Sequence, residues 1–186
     1  CKPGGGLLYR EQLSKKFRRA TAGLSVADQL HYAVKRRKTE DVNVLFDTGV
    51  VPDKETLELA VEMKWAGAVE AFIKRGTVPT QLMLDKAREN NDLATAKVLL
   101  DAGIVPGVSE MALAAWKKKP EWLLLYLDKG GTPTPHTLFS AAIFDNKATG
   151  DILLNRGVIA DEATVKYVAQ NKMTLWMEAI LSHGAT

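Results

Sequence analysis

The chain has 186 residues, 46 % of them apolar, with 25 Lys or Arg against 22 Asp or Glu and a single cysteine, Cys1. That length and apolar content suffice for one continuous core. The lone cysteine excludes an internal disulfide framework and argues against a structural zinc site, and no apolar run approaches the roughly 18 residues of a membrane span. There is no Asn-x-Ser/Thr sequon.

Charge is uneven along the chain. Residues 1–38 hold ten basic side chains against Glu11 and Asp28, so the first fifth is strongly basic and the remainder is net acidic. Residues 1–21 read as a basic arm or capping segment, in which Leu8, Leu13 and Phe17 line one face of a short amphipathic helix. Arg10, Lys15, Lys16, Arg18 and Arg19, with Lys35, Arg36, Arg37 and Lys38 just beyond, form its charged surface. Three roles fit such a segment: a lid over the open end of the downstream array, an anchor on an acidic partner or membrane surface, or an organellar targeting remnant. A chain opening at Cys1 rather than Met reads as processed or partial.

From Ala22 a 27-residue period runs unbroken through units 22–48, 49–75, 76–102, 103–129, 130–156 and 157–183, and residues 22–186 form the expected repeat domain. Gly49, Gly76, Gly103, Gly130 and Gly157 open five of the six units. Position 9 carries Leu30, Leu57, Leu84, Met111, Leu138 and Val165; position 12 carries Ala33, Ala60, Ala87, Ala114, Ala141 and Val168. A bulky residue three places before a small one suits a helix crossed closely by another. A second apolar block at positions 24 and 25, such as Phe72-Ile73 and Leu99-Leu100, predicts a second helix per unit. Pro52, Pro79, Pro106 and Pro133 at position 4 precede Asp53, Thr80, Gly107 and Thr134, a start signal for the first helix. The recurring glycine ends the second. The predicted fold is an all-α, right-handed α-solenoid of six helix-turn-helix repeats.

With positions 9, 12, 13 and 16 assigned to the buried stripe, positions 7, 10 and 14 of the first helix face outward. That face is acidic in the second and third units, where Glu58, Glu62, Asp85 and Glu89 are candidates for binding a partner. It becomes apolar in the fourth and fifth, where Trp116, Phe139 and Ile143 are candidate anchors. The alternative for the three apolar residues is packing between neighbouring helices. No catalytic constellation emerges: His31, His136 and His183 fall at unrelated positions, and Gly4-Gly5-Gly6 lacks the context of a phosphate loop. No catalytic, cofactor-binding or metal-ligating residue is predicted.

The stretch from Met83 to Gly103, with its Leu99-Leu100-Asp101-Ala102-Gly103 ending, resembles the helical pair of an ankyrin repeat, as do Thr137–Gly157 and, more faintly, Thr56–Gly76. The units are shorter than the roughly 33 residues of ankyrin and lack both the β-hairpin finger and the threonine-proline-leucine-histidine signature. The resemblance implies protein–protein recognition without catalysis. The links Gly49-Val50-Val51-Pro52-Asp53 and Gly103-Ile104-Val105-Pro106 resemble those of pentatricopeptide RNA-binding repeats. The expectation is a non-catalytic interaction scaffold, an accessory subunit of a larger complex, with an RNA-associated organellar factor as the alternative. The basic arm makes a mitochondrial or other organellar setting the expected compartment, ahead of the cytoplasm.

Overall fold

The computed structural model describes residues 5–184, with side chains from residue 9 onward. Cys1, Lys2 and the side chain of Leu8 lie outside the described residues. Among the described residues there are fourteen α-helices and no strand. Two helices precede the repeats, α1 (Gly5–Gln12) and α2 (Lys15–Ala20). Each repeat then contributes a pair: α3 (Val26–Lys35) and α4 (Thr39–Phe46), α5 (Lys54–Glu62) and α6 (Ala66–Lys74), α7 (Gln81–Glu89) and α8 (Leu93–Asp101). The pairs continue with α9 (Val108–Trp116) and α10 (Pro120–Asp128), α11 (Pro135–Ile143) and α12 (Lys147–Asn155), α13 (Glu162–Gln170) and α14 (Thr174–Ser182). The chain is therefore an array of six helix-turn-helix repeats. It divides into two compact units, residues 1–104 and 105–186.

Helices of about nine residues are too short to persist alone in water, so packing must hold them. Within the first unit α3 packs on α5 and α5 on α7, while α6 packs on α8. Within the second, α9, α11 and α13 stack in order, and so do α10, α12 and α14. The first helix of a repeat buries positions 8, 9, 12 and 13, as in Thr56, Leu57, Ala60 and Val61. The second buries positions 20, 21, 24 and 25, as in Trp122, Leu123, Tyr126 and Leu127. Residues spaced one, four and five apart lie on one side of a helix, so each pair presents two facing stripes.

Position 16 departs from the expected stripe. Arg37, Lys64, Asn91, Lys118, Asp145 and Lys172 are all exposed, and all have left-handed backbone, with φ between 48° and 54°. The first helix has ended two residues earlier. In every repeat the N–H of position 17 donates to the carbonyl of position 12 at 2.8–3.1 Å, and that of position 16 donates to position 13 at 2.9–3.3 Å. This is the Schellman C-cap, which satisfies orphan helical carbonyls and ordinarily employs glycine. Here it employs polar residues with full side chains, at a conformational cost. Replacing Lys172 with Gly is expected to raise stability by about 0.5–1 kcal/mol, whereas Gly157→Ala, at φ +83°, lowers it by about 1–2 kcal/mol. Urea denaturation of the two variants checks both signs.

Asp53 and Asp161 cap their helices as expected, whereas Thr80 starts α7 without a side-chain capping bond. Asp53 accepts the Thr56 N–H at 2.7 Å and Asp161 accepts the Thr164 N–H at 2.9 Å. Partial burial pushes the Asp53 carboxyl up, but the Thr56 side-chain and backbone hydrogen bonds outweigh it and hold the group below its ordinary range. The Asp161 carboxyl is lowered chiefly by Thr164.

The segment before the repeats is broken at Leu13-Ser14, so a single amphipathic helix does not form. Ser14 caps α2, accepting the Phe17 N–H at 3.2 Å, and its own N–H donates to the buried Asp41 at 3.1 Å. Leu13 and Phe17 are both buried, and Phe17 meets Tyr32 of α3 edge-on at 5.8 Å. With α1 against α4, the segment covers the first repeat.

Candidate functional site

Of the outward positions on the first helices, 7 and 14 are exposed, and position 10 is half-buried in five of the six repeats. In the first unit the acidic candidates are largely neutralised in place. Glu58 pairs with Lys54 at 3.9 Å, Asp85 with Arg88 at 3.1 Å, and Glu62 with Lys86 of the next repeat at 2.5 Å. The Glu62 hydrogen bond raises the Lys86 ammonium above its ordinary value. Glu89 is exposed. Sequence could not show Lys86 facing Glu62, because the two lie 24 residues apart.

In the second unit the three apolar candidates part company. Phe139 is half-buried and packs edge-to-face on Tyr167 of the following repeat, centroids 5.8 Å apart. Ile143 lies at the surface, and its carbonyl accepts the Tyr167 hydroxyl at 3.3 Å. Trp116 is 45 % exposed and lies 5.7 Å from Phe144 of the next repeat, itself 41 % exposed. Between α9 and α11 these two rings, with Val108, Ala112 and Leu113, wall an open groove of about 620 Å³ rimmed by Ser109, His136 and Ser140. The Lys117 ammonium lies 4.4 Å from the Trp116 ring, over its face. Phe144 escaped the sequence reading because it sits in the turn rather than on the helix. The signal was there: position 15 otherwise reads Arg36, Met63, Asn90, Lys117 and Asn171, and phenylalanine is its one aromatic.

The nine basic candidates of the first unit are all exposed. Lys16 of α2, Arg36 at the end of α3 and Lys38 at the start of α4 come together around a concavity of about 420 Å³, backed by Phe17 and Tyr32 and edged by Ser14. The Arg36 guanidinium lies 5.7 Å from the centre of the Tyr32 ring. Arg10 and Arg18 border a second hollow of about 270 Å³ with Leu13 and Gln29. Arg37 turns away and donates to the Met63 carbonyl of the next repeat. Lys15, Arg19 and Lys35 border neither hollow.

The histidines stay apart. His31 Nδ1 lies 3.2 Å from Thr56 Oγ1, His183 bonds Asn155 and the Ala179 carbonyl, and His136 rims the groove. Among the described residues no three His, Cys, Asp or Glu side chains form a metal-binding group, and no helix is long and apolar enough to cross a membrane. The chain matches no protein-family profile and shows no significant similarity to a curated protein.

Proposed function

We propose that this chain is a non-catalytic protein-interaction scaffold, an accessory subunit of a larger assembly, whose partner is gripped by the groove between α9 and α11. One observation carries the reading. Position 14 is charged throughout the first unit, as Lys35, Glu62 and Glu89, but is Trp116 in the first repeat of the second, where the indole stands 45 % exposed in a groove with Phe144 rather than buried in the core. An exposed aromatic pair in a concave apolar patch is the usual make-up of an interface anchor. The ankyrin-like motif of the repeats points the same way, and the basic first 38 residues favour an organellar setting.

The test uses the full chain as bait in its native source, with co-purifying proteins identified and the strongest titrated as a purified partner. Trp116→Ala is expected to weaken that titration by about 2 kcal/mol or more, roughly 30-fold, with helical content unchanged. Equal affinity of the variant rejects the groove as the binding face, and loss of helical content assigns Trp116 to the core. Association with RNA is a second reading, favoured by the cations gathered around Phe17 and Tyr32.

A further inference from the structure

The concavity between α2 and the α3–α4 turn has an unusual composition. Lys16 comes from α2, Arg36 and Lys38 come from the α3–α4 turn, and no carboxylate lines the hollow they share. Among the described residues, none of the three forms an ion pair; Arg36 only covers the Tyr32 ring, 5.7 Å away. Asp41, which touches the wall residue Ser14, is 5 % exposed and accepts the Ser14 N–H. Bringing three cations together without a counter-charge is unfavourable for folding by itself, so the arrangement points to an external anion.

The occupant of the hollow can be narrowed by the faces of α2. Its only bulky apolar side chain, Phe17, is turned inward and 4 % exposed, while Lys15, Lys16, Arg18 and Arg19 face solvent. An amphipathic membrane anchor inserts apolar side chains beneath its basic ones, and α2 has none to insert. A protein partner would look for an exposed aromatic or aliphatic anchor, and the α2 surface offers none. The second hollow takes Arg18 from α2 and Arg10 from α1, so α2 contributes a cation to each of two concavities. A ligand with several phosphates along a flexible backbone satisfies both, as a single small anion does not.

We infer that this basic surface binds the phosphate backbone of single-stranded nucleic acid, with Lys16, Arg36 and Lys38 as its principal contacts. Recognition is of charge rather than of base identity. It is a second site on the molecule, independent of the Trp116 groove.

The experiment titrates the 186-residue chain into a fluorescein-labelled oligouridylate of about 15 nucleotides across a salt series. Three contacts on a single strand predict a slope of log K against log salt of about −2. Lys16→Gln with Lys38→Gln is expected to weaken binding by about 25-fold at 0.1 M salt, roughly 5-fold per cation lost, and to flatten the slope to near −0.7. Lys16→Arg with Lys38→Arg retains binding, and Trp116→Ala leaves it unchanged, which separates this site from the protein groove. Lys97→Gln with Lys166→Gln removes two exposed cations elsewhere. An equal loss in that control overturns the proposal in favour of overall charge, and an unchanged affinity in the Lys16/Lys38 double Gln variant overturns it outright. Tighter binding to phosphatidylserine vesicles than to the oligonucleotide overturns it in favour of a membrane surface. If the double Gln variant loses helical content, Lys38→Gln alone must still cost about 5-fold, and no loss there is equally fatal.

Discussion

Gly150→Ala destabilises this protein by about 2 kcal/mol, although the same change in an ordinary exposed helix would stabilise it by about 1. Gly150 sits inside α12, and a Cβ built there would fall 2.4 and 2.5 Å from two carbons of the Trp176 ring. The ring has nowhere to go. Trp176 is 2 % exposed, and its Nε1 donates to the Asp145 carboxylate at 2.9 Å, so indole and glycine of adjacent repeats form one lock. The expected signature is a reversal of sign. On a Trp176→Leu background, where the slot is emptied, Gly150→Ala gains the helical preference and stabilises by about 1 kcal/mol. Urea melts of the four proteins give a coupling of about 3 kcal/mol. Additive effects would show that the ring moves aside.

Phe72→Ala is expected to remove about 3–5 kcal/mol, a large share of the stability of any small domain. The ring is wholly buried in α6 and meets Phe46 of the preceding repeat edge-on, centroids 5.5 Å apart. Phe46 is in turn covered by the Arg75 guanidinium at 3.7 Å, so the deletion leaves a cavity between two repeats that the guanidinium already closes from outside. Phe72→Leu keeps most of the volume and loses the aromatic contact, so its penalty should fall to about 1–2 kcal/mol. A chemical melt comparing the two decides. Near-equal penalties would mean that aromatic geometry, rather than filled space, holds the repeats together.

Much of this architecture was legible because the period is exact in length. Positions 9, 12, 24 and 25 announced two helices per repeat, and Pro52-Asp53 announced where the first one starts. What misled was the end of that helix. A 100° wheel continues past position 14, and no glycine at position 16 warns that the backbone turns left-handed there. The column of Arg37, Lys64, Asn91, Lys118, Asp145 and Lys172 is the warning, since no buried stripe is wholly polar.

The site was only partly legible, for a different reason. Whether Phe139 or Trp116 is free depends on what the next repeat sets beside it, Tyr167 in one case and Phe144 in the other. A single repeat read alone holds no such information. The acidic face failed in the same way, since Lys86 reaches Glu62 across a repeat boundary. The convergence of Lys16, Arg36 and Lys38 needed the break at Ser14, which a run of basic residues does not advertise.

The left-handed turn at position 16 has a consequence for how such a molecule diversifies. Its two hydrogen bonds close a backbone ring of fixed size in every repeat, so the side chains at positions 14 and 15 project from the same frame each time. In the first unit Glu62 and Asn90 occupy the seats that Trp116 and Phe144 hold in the second. The frame is thereby transposable: Glu62→Trp with Asn90→Phe would set an aromatic pair on the first unit at the same two positions, with no change in repeat length.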